Sequence, residues 1–184
     1  MNSVGRPNEV VAQMSVEAKA LDFETQFRMH YARMARMIAR LVRDQGRAEE
    51  LAVDVFLKLW RKGTSDIAHV EGWLYRVGSH AALDELRRQT RRARYEGLFG
   101  WMNVAPGPST PEELHHSNQE QDRVRRVLGV LSAKQAQILL LRGDGFSYAE
   151  LAVTMGVSPT TVGSTLMRAQ KAFRKEYIKR YGKQ

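Results

Sequence analysis

Residues 147–169 read Ser-Tyr-Ala-Glu-Leu-Ala-Val-Thr-Met-Gly-Val-Ser-Pro-Thr-Thr-Val-Gly-Ser-Thr-Leu-Met-Arg-Ala. Ser147 can cap a helix, and Glu150, three residues further on, completes a capping box. Gly156 suits the positive φ of a tight turn. Ser158 can cap a second helix with Pro159 in its first position, where the missing N–H is not needed. The stretch therefore predicts a helix-turn-helix.

The inner face of this motif fixes which residues remain outside. Ala152 is small where the helices must cross, and Val162 and Leu166 point back into the core. The outer face is then formed by Thr160, Thr161, Gly163, Ser164, Met167 and Arg168. Small hydroxyl side chains near a helix N-terminus can reach phosphates or base edges, and a glycine lets the backbone approach closely. An αα-hairpin that only packs would fit the same face, but the cap, the glycine, the proline and the basic tail together favour DNA binding.

The charge of the chain agrees with a polyanionic partner. The 184 residues carry a formal net charge of +9, and the pI is about 10.1, so the surface field attracts nucleic acid. Five arginines fall within residues 87–94, and seven basic residues follow from Arg168 onward against the single Glu176. A basic tail by itself would more often be a solvated face.

Composition also excludes several classes of protein. The chain has no cysteine, so it forms no disulfide and holds no Cys-bound zinc. No apolar stretch approaches the length of a membrane span, and the N-terminal residues have no apolar signal core. We therefore expect a soluble cytoplasmic protein with no membrane insertion.

Periodicity predicts an all-α fold of two small helical domains joined by a flexible linker. Apolar residues recur at helical spacing from Phe27 to Leu41 and again from Val124 onward, whereas glycines and prolines dominate residues 97–111. We expect a disordered tail over 1–20, a first domain over 21–95, a linker over 96–119 and a second domain over 120–184. The predicted core of the first domain comprises Met29, Met34, Met37, Leu51, Val55, Phe56, Leu59, Trp73, Leu74, Val77, Ala81 and Leu86.

The C-terminal motif resembles the promoter-reading domain of bacterial sigma factors, particularly those of the compact extracytoplasmic-function (ECF) class. The matching stretches are Leu131-Ser132, Ser147–Ala152 and Thr160–Ala169. Residues 48–60, Ala-Glu-Glu-Leu-Ala-Val-Asp-Val-Phe-Leu-Lys-Leu-Trp, resemble a second signature of that family. Trp73–Val77 with Asp84–Arg88 look like its helix that melts and reads the −10 element. The two signatures stand in the family order and together cover about 150 residues, so we expect a sigma-two-like domain followed by a sigma-four-like domain.

This resemblance implies partners and a docking surface. The partners are RNA polymerase core, through its β′ clamp and β flap, and promoter DNA; an anti-sigma factor is a further partner that it allows. Glu49, Asp54, Phe56, Leu57 and Trp60 would dock on the clamp, since carboxylates beside large apolar groups suit an interface with an aromatic anchor. Leu51, Val55 and Leu59 are better explained as ordinary core.

Two sets of DNA contacts are also implied. The −10 set is Trp73, Arg76, His80, Asp84, Arg87, Arg88 and Arg91, which would hold single-stranded DNA by stacking and phosphate contacts. The −35 set is Ser158, Pro159, Thr160, Thr161, Gly163, Ser164, Met167 and Arg168. Trp73 fits the core equally well, and the arginine cluster would also serve nonspecific binding.

The chain departs from the family pattern at several of these positions. Val53 replaces the usual Gln before the clamp-binding Asp, and His80 replaces an Asn of the melting helix. Gly163 and Thr165 replace the Lys and Arg of the recognition helix, and Ser132 replaces the Pro of Leu-Pro. The −10 base preference and the −35 sequence are therefore expected to differ from the usual ones.

Two other functions compete with this interpretation. A helix-turn-helix repressor or activator that works without polymerase would leave the 48–60 signature unexplained. A metal-dependent nuclease could use His69, His80, His115 and His116, but adjacent histidines on a helix point about 100° apart and chelate poorly. No nucleophile–base arrangement or phosphate-cradling glycine loop accompanies them. We therefore predict a protein that is not an enzyme and that needs neither cofactor nor metal.

Overall fold

The computed structural model describes the backbone of residues 7–99 and 112–182, and the side chains of residues 19–92 and 119–182. Within those ranges every regular element is an α-helix, which confirms the all-α class. The helices are α1 (Pro7–Val42), α2 (Gln45–Lys62), α3 (Val70–Phe99), α4 (Glu112–Val130), α5 (Ala133–Gly143), α6 (Tyr148–Met155) and α7 (Pro159–Tyr181).

Two predicted irregular segments are shorter in the structure. Residues 7–20, expected to be a disordered tail, form the beginning of α1. The linker expected over 96–119 is helical at both ends, because α3 continues to Phe99 and α4 begins at Glu112. Gly97 is an isolated glycine, which a helix such as α3 tolerates. Residues 112–119 contain neither proline nor glycine, so nothing in them interrupts α4. Residues 100–111 lie outside the described residues.

Helix α2 follows α1 after a two-residue turn. Arg43 takes a left-handed conformation with φ 57°, and the Asp44 side chain caps α2 by accepting a hydrogen bond from the Arg47 N–H at 2.9 Å. The predicted stripe of Leu51, Val55 and Leu59 is buried. It packs on the buried face of α1, where Met34, Met37, Ile38 and Leu41 lie.

The core of α3 is wider than its predicted stripe. Leu74 and Leu86 are buried as expected, but Val77 and Ala81 are only half-buried, and the fully buried Tyr75 was not predicted. Helix α3 contacts α1 and α2 as well as α4, α5 and α6, so two of its faces are apolar and a single-stripe analysis finds only part of them. The prediction that Met29 of α1 lies in the core is wrong, because this residue is 67% exposed.

The helix-turn-helix agrees with its sequence signals at nearly every position. Ser147 and Glu150 form the predicted capping box at the start of α6, and Gly156 ends α6 in the left-handed conformation with φ 63°. Pro159 occupies the first turn of α7. Ser158 stands at the N-cap position, but its side chain makes no capping hydrogen bond. Its hydroxyl instead bonds that of Thr160 at 2.8 Å.

Ser147→Ala will lower the free energy of unfolding by about 1 kcal/mol at neutral pH, because it removes the acceptor for the Glu150 N–H. Hydrogen bonding with the Ser147 side chain, and then with its backbone N–H, lowers the pKa of the Glu150 carboxyl. A pKa below its unfolded-state value means that the stabilisation is present above that value and is lost as pH falls through the folded-state pKa. Urea unfolding at neutral and acidic pH measures both effects.

Ser158→Ala is the matched control for this prediction, since Ser158 stands at the equivalent position of α7 without capping it. We expect the control to cost clearly less stability than Ser147→Ala. Equal losses in the two variants would contradict the assigned role of the Ser147 cap.

The two halves of the chain share one apolar core. The Tyr75 ring on α3 lies 4.8 Å from the ring of Phe146, edge to face. At Gly72 the backbone of α6 comes so close that a Cβ atom would lie 3.6 Å from the Thr154 Cα. The sequence predicted two domains but not this contact between them.

Candidate nucleic-acid and protein interfaces

The outer face of α7 presents small polar residues to solvent. Val162, Leu166 and Ala169 are buried on its inner side. Its exposed residues include Pro159, Thr160, Thr161, Ser164, Met167 and Arg168, with Ser158 directly before the helix. Met167 is 66% exposed, so its side chain is available for an apolar contact. This face agrees with the predicted outer row.

Most of these polar side chains are held in place by the helix itself. Thr161 Oγ1 donates to the Ser158 carbonyl at 2.8 Å, and Ser164 Oγ donates to the Thr161 carbonyl at 3.1 Å. Arg168 Nε donates to the Ser164 carbonyl at 3.2 Å. The hydroxyl oxygens and the rest of the guanidinium remain on the exposed side, where they can contact a phosphate or a base edge.

Gly163 differs from its predicted environment. It is only partly exposed, and a Cβ atom there would lie 3.8 Å from Cε2 of Tyr148. Sequence reasoning missed Tyr148, which is 49% exposed at the start of α6 with the Arg142 guanidinium 5.9 Å from its ring centre. A half-exposed aromatic residue beside the outer row is a candidate DNA contact. Its signal in the sequence was a tyrosine directly after a helix cap.

The exposed face of α2 carries a mixed acidic and apolar surface. Glu49 and Asp54 are exposed, as are Val53, Leu57 and Trp60. The Trp60 ring is 38% exposed and rests edge to face on Phe23 at 5.1 Å. We call Asp54, Leu57 and Trp60 the α2 surface. Phe23 thus orders the Trp60 ring, the Lys19 ammonium lies 5.4 Å from its centre, and the exposed part of the side chain is available to a partner as an anchoring aromatic requires.

Phe56 does not belong to the α2 surface. Its side chain is 1% exposed and makes edge-to-face contact with Phe27 at 5.0 Å. Position 56 turns inward because it lies one residue after buried Val55 and three before buried Leu59, on the same helical stripe. We therefore remove Phe56 from the predicted docking residues.

Part of the predicted −10 set lies on one exposed face of α3. His80, Asp84, Arg88 and Arg91 are exposed, and their spacing of four, four and three residues stacks them along the helix. Glu85 is buried beneath them and accepts from Arg88 Nη2 at 3.0 Å and Arg47 Nη2 at 3.2 Å. The two exposed arginines of this row, of which Arg88 is partly paired with Glu85, suit phosphate contacts.

The other three members of that set are arranged differently. Trp73 is half-buried and packs against the apolar core. Arg76 Nε donates to the Thr154 carbonyl at 2.6 Å, and Arg87 Nη2 donates to the Leu131 carbonyl at 3.1 Å. Both arginines therefore reach into the C-terminal half of the chain. The structure does not bring the seven predicted residues together on one free surface.

Neither a metal centre nor a membrane span emerges from the described residues. Among them no three His, Asp or Glu side chains are grouped so that they could hold a metal ion. His115 and His116, weighed above as ligands, lie outside the described side chains. No helix in the described ranges is long and apolar enough to cross a membrane.

Comparison with known proteins gives two matches in the expected order. Residues 26–92 match the family described as Sigma-70 region 2, and residues 121–173 match the family described as Sigma-70, region 4. These ranges contain α2, most of α3 and the helix-turn-helix. They cover the surfaces described above.

Individual proteins are also similar along most of this chain. The ECF RNA polymerase sigma factor SigK of Mycolicibacterium vanbaalenii is 30% identical over 169 residues, which are 90% of this chain and 84% of that protein. The ECF RNA polymerase sigma factor SigE of Mycolicibacterium smegmatis is 29% identical over 157 residues, 84% of this chain, and the match spans only 60% of SigE. The solved structure of CnrH in complex with the cytosolic domain of CnrY has the same fold, with a TM-score of 0.55, 18% identity and coverage of 90% of this chain and 94% of that one.

Proposed function

This chain belongs to the extracytoplasmic-function group of sigma-70 factors, and from that premise we propose how its two domains divide promoter recognition. As a sigma factor it directs RNA polymerase core to promoters for transcription initiation. In this proposal residues 21–95 bind core polymerase and read the −10 element, and residues 120–184 read the −35 element. The observation that carries it is one chain with both an anchored aromatic surface on α2 and a helix-turn-helix with an exposed outer row.

The polymerase contact is assigned to the α2 surface, with Glu49 at its edge. Trp60 supplies a large apolar anchor that is already ordered by Phe23, so little side-chain entropy is lost on binding. Asp54 and Glu49 add negative charge to a chain that is otherwise basic, which fixes the orientation of docking on a basic partner.

The −10 contact is assigned to the exposed row His80, Asp84, Arg88 and Arg91, completed by Trp73, Arg76 and Arg87. The −35 contact is assigned to Ser158, Pro159, Thr160, Thr161, Gly163, Ser164, Met167 and Arg168, with Tyr148 beside them. Arginines hold the phosphates in both sets, while His80 and the small residues of α7 stand where they can read bases.

Further partners and the cellular site follow from this role. An anti-sigma factor, a regulator that binds a sigma factor, would cover the apolar side chains Met29, Tyr148 and Val153, all exposed. CnrH, which has the same fold, was solved in complex with another protein, the cytosolic domain of CnrY. Because a sigma factor acts with RNA polymerase on chromosomal DNA, we assign the protein to the cytoplasm. Binding and positioning are sufficient for this function, so we assign no catalysis and no cofactor.

The isolated chain will bind core RNA polymerase tightly and duplex promoter DNA weakly. Its DNA contacts are divided between two small domains, and polymerase must hold them at the spacing of the two promoter elements. Co-purification with core polymerase and gel-shift titration of duplex DNA measure the two affinities. Both are done at the same salt concentration, because binding to DNA depends strongly on salt.

The second candidate function, a repressor that works without polymerase, predicts the opposite pair of results. Tight and sequence-specific binding to duplex DNA, without retention on core polymerase, would contradict the sigma-factor proposal. The exposed Trp60 would then lack a partner.

A further inference from the structure

The helix-turn-helix itself has little charge with which to attract DNA. Residues 147–170 contain one basic residue, Arg168, and one acidic residue, Glu150, so their formal charges cancel. Because phosphate contacts supply most of the sequence-independent affinity for DNA, positive charge close to the outer row must come from elsewhere in the chain. The basic residues that follow Arg168 are the next along the same helix.

Three lysines on the C-terminal half of α7 form a single exposed line. Lys171, Lys175 and Lys179, which we call the lysine row, are all exposed, and they follow Arg168 at steps of three, four and four residues. Steps of this size keep side chains on one side of a helix. Since Arg168 stands four residues after Ser164, the lysine row continues the exposed line of Ser164 and Arg168 towards the end of α7.

Acidic side chains do not neutralise the lysine row. Glu176 is the only acidic residue of α7, and its half-buried carboxylate lies 3.6 Å from Arg180 Nε. Within the described part of the chain, no salt bridge joins a lysine of the row to a carboxylate. A solvated helix face commonly carries charges of both signs, whereas three aligned cations without acidic partners match the footprint of a polyanion.

Contacts on the opposite side of α7 fix the direction of the lysine row. The rings of Phe173 and Tyr177 stack at 6.0 Å, and the Tyr177 hydroxyl donates to the Glu120 carboxylate of α4 at 2.8 Å. The Arg123 guanidinium, also on α4, lies 5.4 Å from the centre of the Tyr181 ring. The end of α7 is therefore a helix held against α4, and the lysine row keeps a defined position relative to the outer row.

The exposed line of α7 is longer than the groove that the helix would enter. From Ser164 to Lys179 the helix advances roughly 22 Å, at about 1.5 Å per residue, whereas the major groove of DNA is about 12 Å wide. The N-terminal residues of a recognition helix contact the base edges. The lysine row, further along, then passes over the edge of the groove, where the phosphates lie, and a lysine ammonium binds a phosphate as a point charge.

We propose that the lysine row binds the phosphate backbone beside the −35 element, outside the base pairs that the outer row reads. This inference rests on the proposed function, because it requires the outer row to lie on the −35 element. The first half of α7 then determines which sequence is bound. The lysine row adds affinity that is the same for every −35 sequence and that depends on salt.

The salt dependence of promoter binding tests this inference. Lys171→Gln, Lys175→Gln and Lys179→Gln are combined in the full chain, which is then assembled with core polymerase and titrated with a promoter fragment whose start site run-off transcription has mapped. Each phosphate contact contributes about 0.9 to the slope of log affinity against log salt, so the triple variant should lose about 2.7 units of slope. Over a fourfold rise in salt concentration, the wild-type affinity should therefore fall roughly 40-fold more than that of the variant. The loss should be the same on promoters with altered −35 bases.

Two control proteins separate the lysine row from net charge. Arginine at the same three positions keeps the charge and should keep the wild-type slope. Arg28→Gln, Arg36→Gln and Arg174→Gln together remove as much charge from exposed positions, two of them on α1 and one about 100° around α7 from Lys175. This second control should change the slope by less than about one unit. Circular dichroism checks that every variant is folded, which we expect because glutamine is nearly as good a helix former as lysine.

Hydroxyl-radical footprinting of the same complexes locates the contact. Wild type should protect sugars beyond one edge of the −35 element, and the triple glutamine variant should lose that protection only. A wild-type slope and footprint in the variant, or an equal loss of slope in the charge-matched control, would overturn the inference and leave the sigma-factor assignment intact. Ile178, which is 52% exposed beside the lysine row, would then favour a protein partner with an acidic and partly apolar face. Failure of the wild-type chain to bring core polymerase to any promoter would contradict the proposed function, and this inference with it.

Discussion

Replacing Asp54 and Trp60 together by alanine will weaken binding to core RNA polymerase by roughly 100-fold, since an anchoring aromatic alone is commonly worth more than 2 kcal/mol. Trp60 offers 38% of its surface to a partner, and Phe23 orders its ring from behind. Asp54 is exposed three residues before Leu57 and six before Trp60 on the same helix. Titration of labelled core polymerase with each variant measures the loss.

Arg28→Ala is the control for this experiment, because Arg28 is exposed on α1 and pairs only with Glu24 one turn away among its described contacts. It should bind core polymerase like wild type. Circular dichroism and thermal unfolding must show that the double variant is folded, since Trp60 also packs on Phe23. A folded double variant with wild-type affinity would mean that the α2 surface is not the docking site.

Arg168→Ala and His80→Ala will damage different promoter elements. Arg168 is exposed on the outer row of α7 and is held by the Ser164 carbonyl, so its loss should lower transcription by about tenfold for every −35 sequence, as expected of a phosphate contact. It should also reduce the salt dependence of promoter binding by about one unit of slope. His80 lies on α3 beside Asp84, in the other half of the chain, so His80→Ala should change the −10 base preference or melting and leave −35 dependence unchanged.

Each variant is the control for the other. Run-off transcription from promoters with single-base changes in either element gives the two profiles, and the double variant should show the sum of the two free-energy effects, because the residues share no partner. An altered −35 preference in His80→Ala, or an effect of Arg168→Ala confined to the −10 element, would contradict the assignment of the two domains.

The local signals of the sequence predicted the helix-turn-helix well. The capping box at Ser147, the left-handed Gly156 and the N-terminal Pro159 are each set by interactions within a few residues. Such interactions can be deduced from residue type and spacing alone. The buried stripe of α2 was equally accessible, because one helix face packing on one neighbour leaves a simple period.

The seam between the two halves could not be predicted in the same way. Arg125 donates to carbonyls 83 and 84 residues earlier in the chain, and no periodicity marks an arginine that will cap a distant helix. Tyr75 was missed for the same reason, since it is buried by Phe146 of the opposite half. These contacts depend on how the helices are assembled, which is a property of the tertiary fold.

Two predictions about site residues differ from the structure. Phe56 was assigned to docking because it lies inside the signature at 48–60, yet its place on the inner stripe buries it. Gly163 was expected to open the recognition helix to DNA, but the Tyr148 ring lies beside it. The replacement of Pro by Ser132 has a clear local outcome, because Ser132 and Gln135 form a second capping box at the start of α5.

Reconstituted run-off transcription tests the central claim most directly. Core RNA polymerase without a sigma factor is mixed with the purified chain and with genomic DNA fragments, and the 5′ ends of the products are mapped. The account predicts defined start sites that appear only when the chain is added, preceded by shared sequences near −10 and −35. Start sites that do not depend on the chain, or a chain that only blocks transcription by another sigma factor, would contradict it.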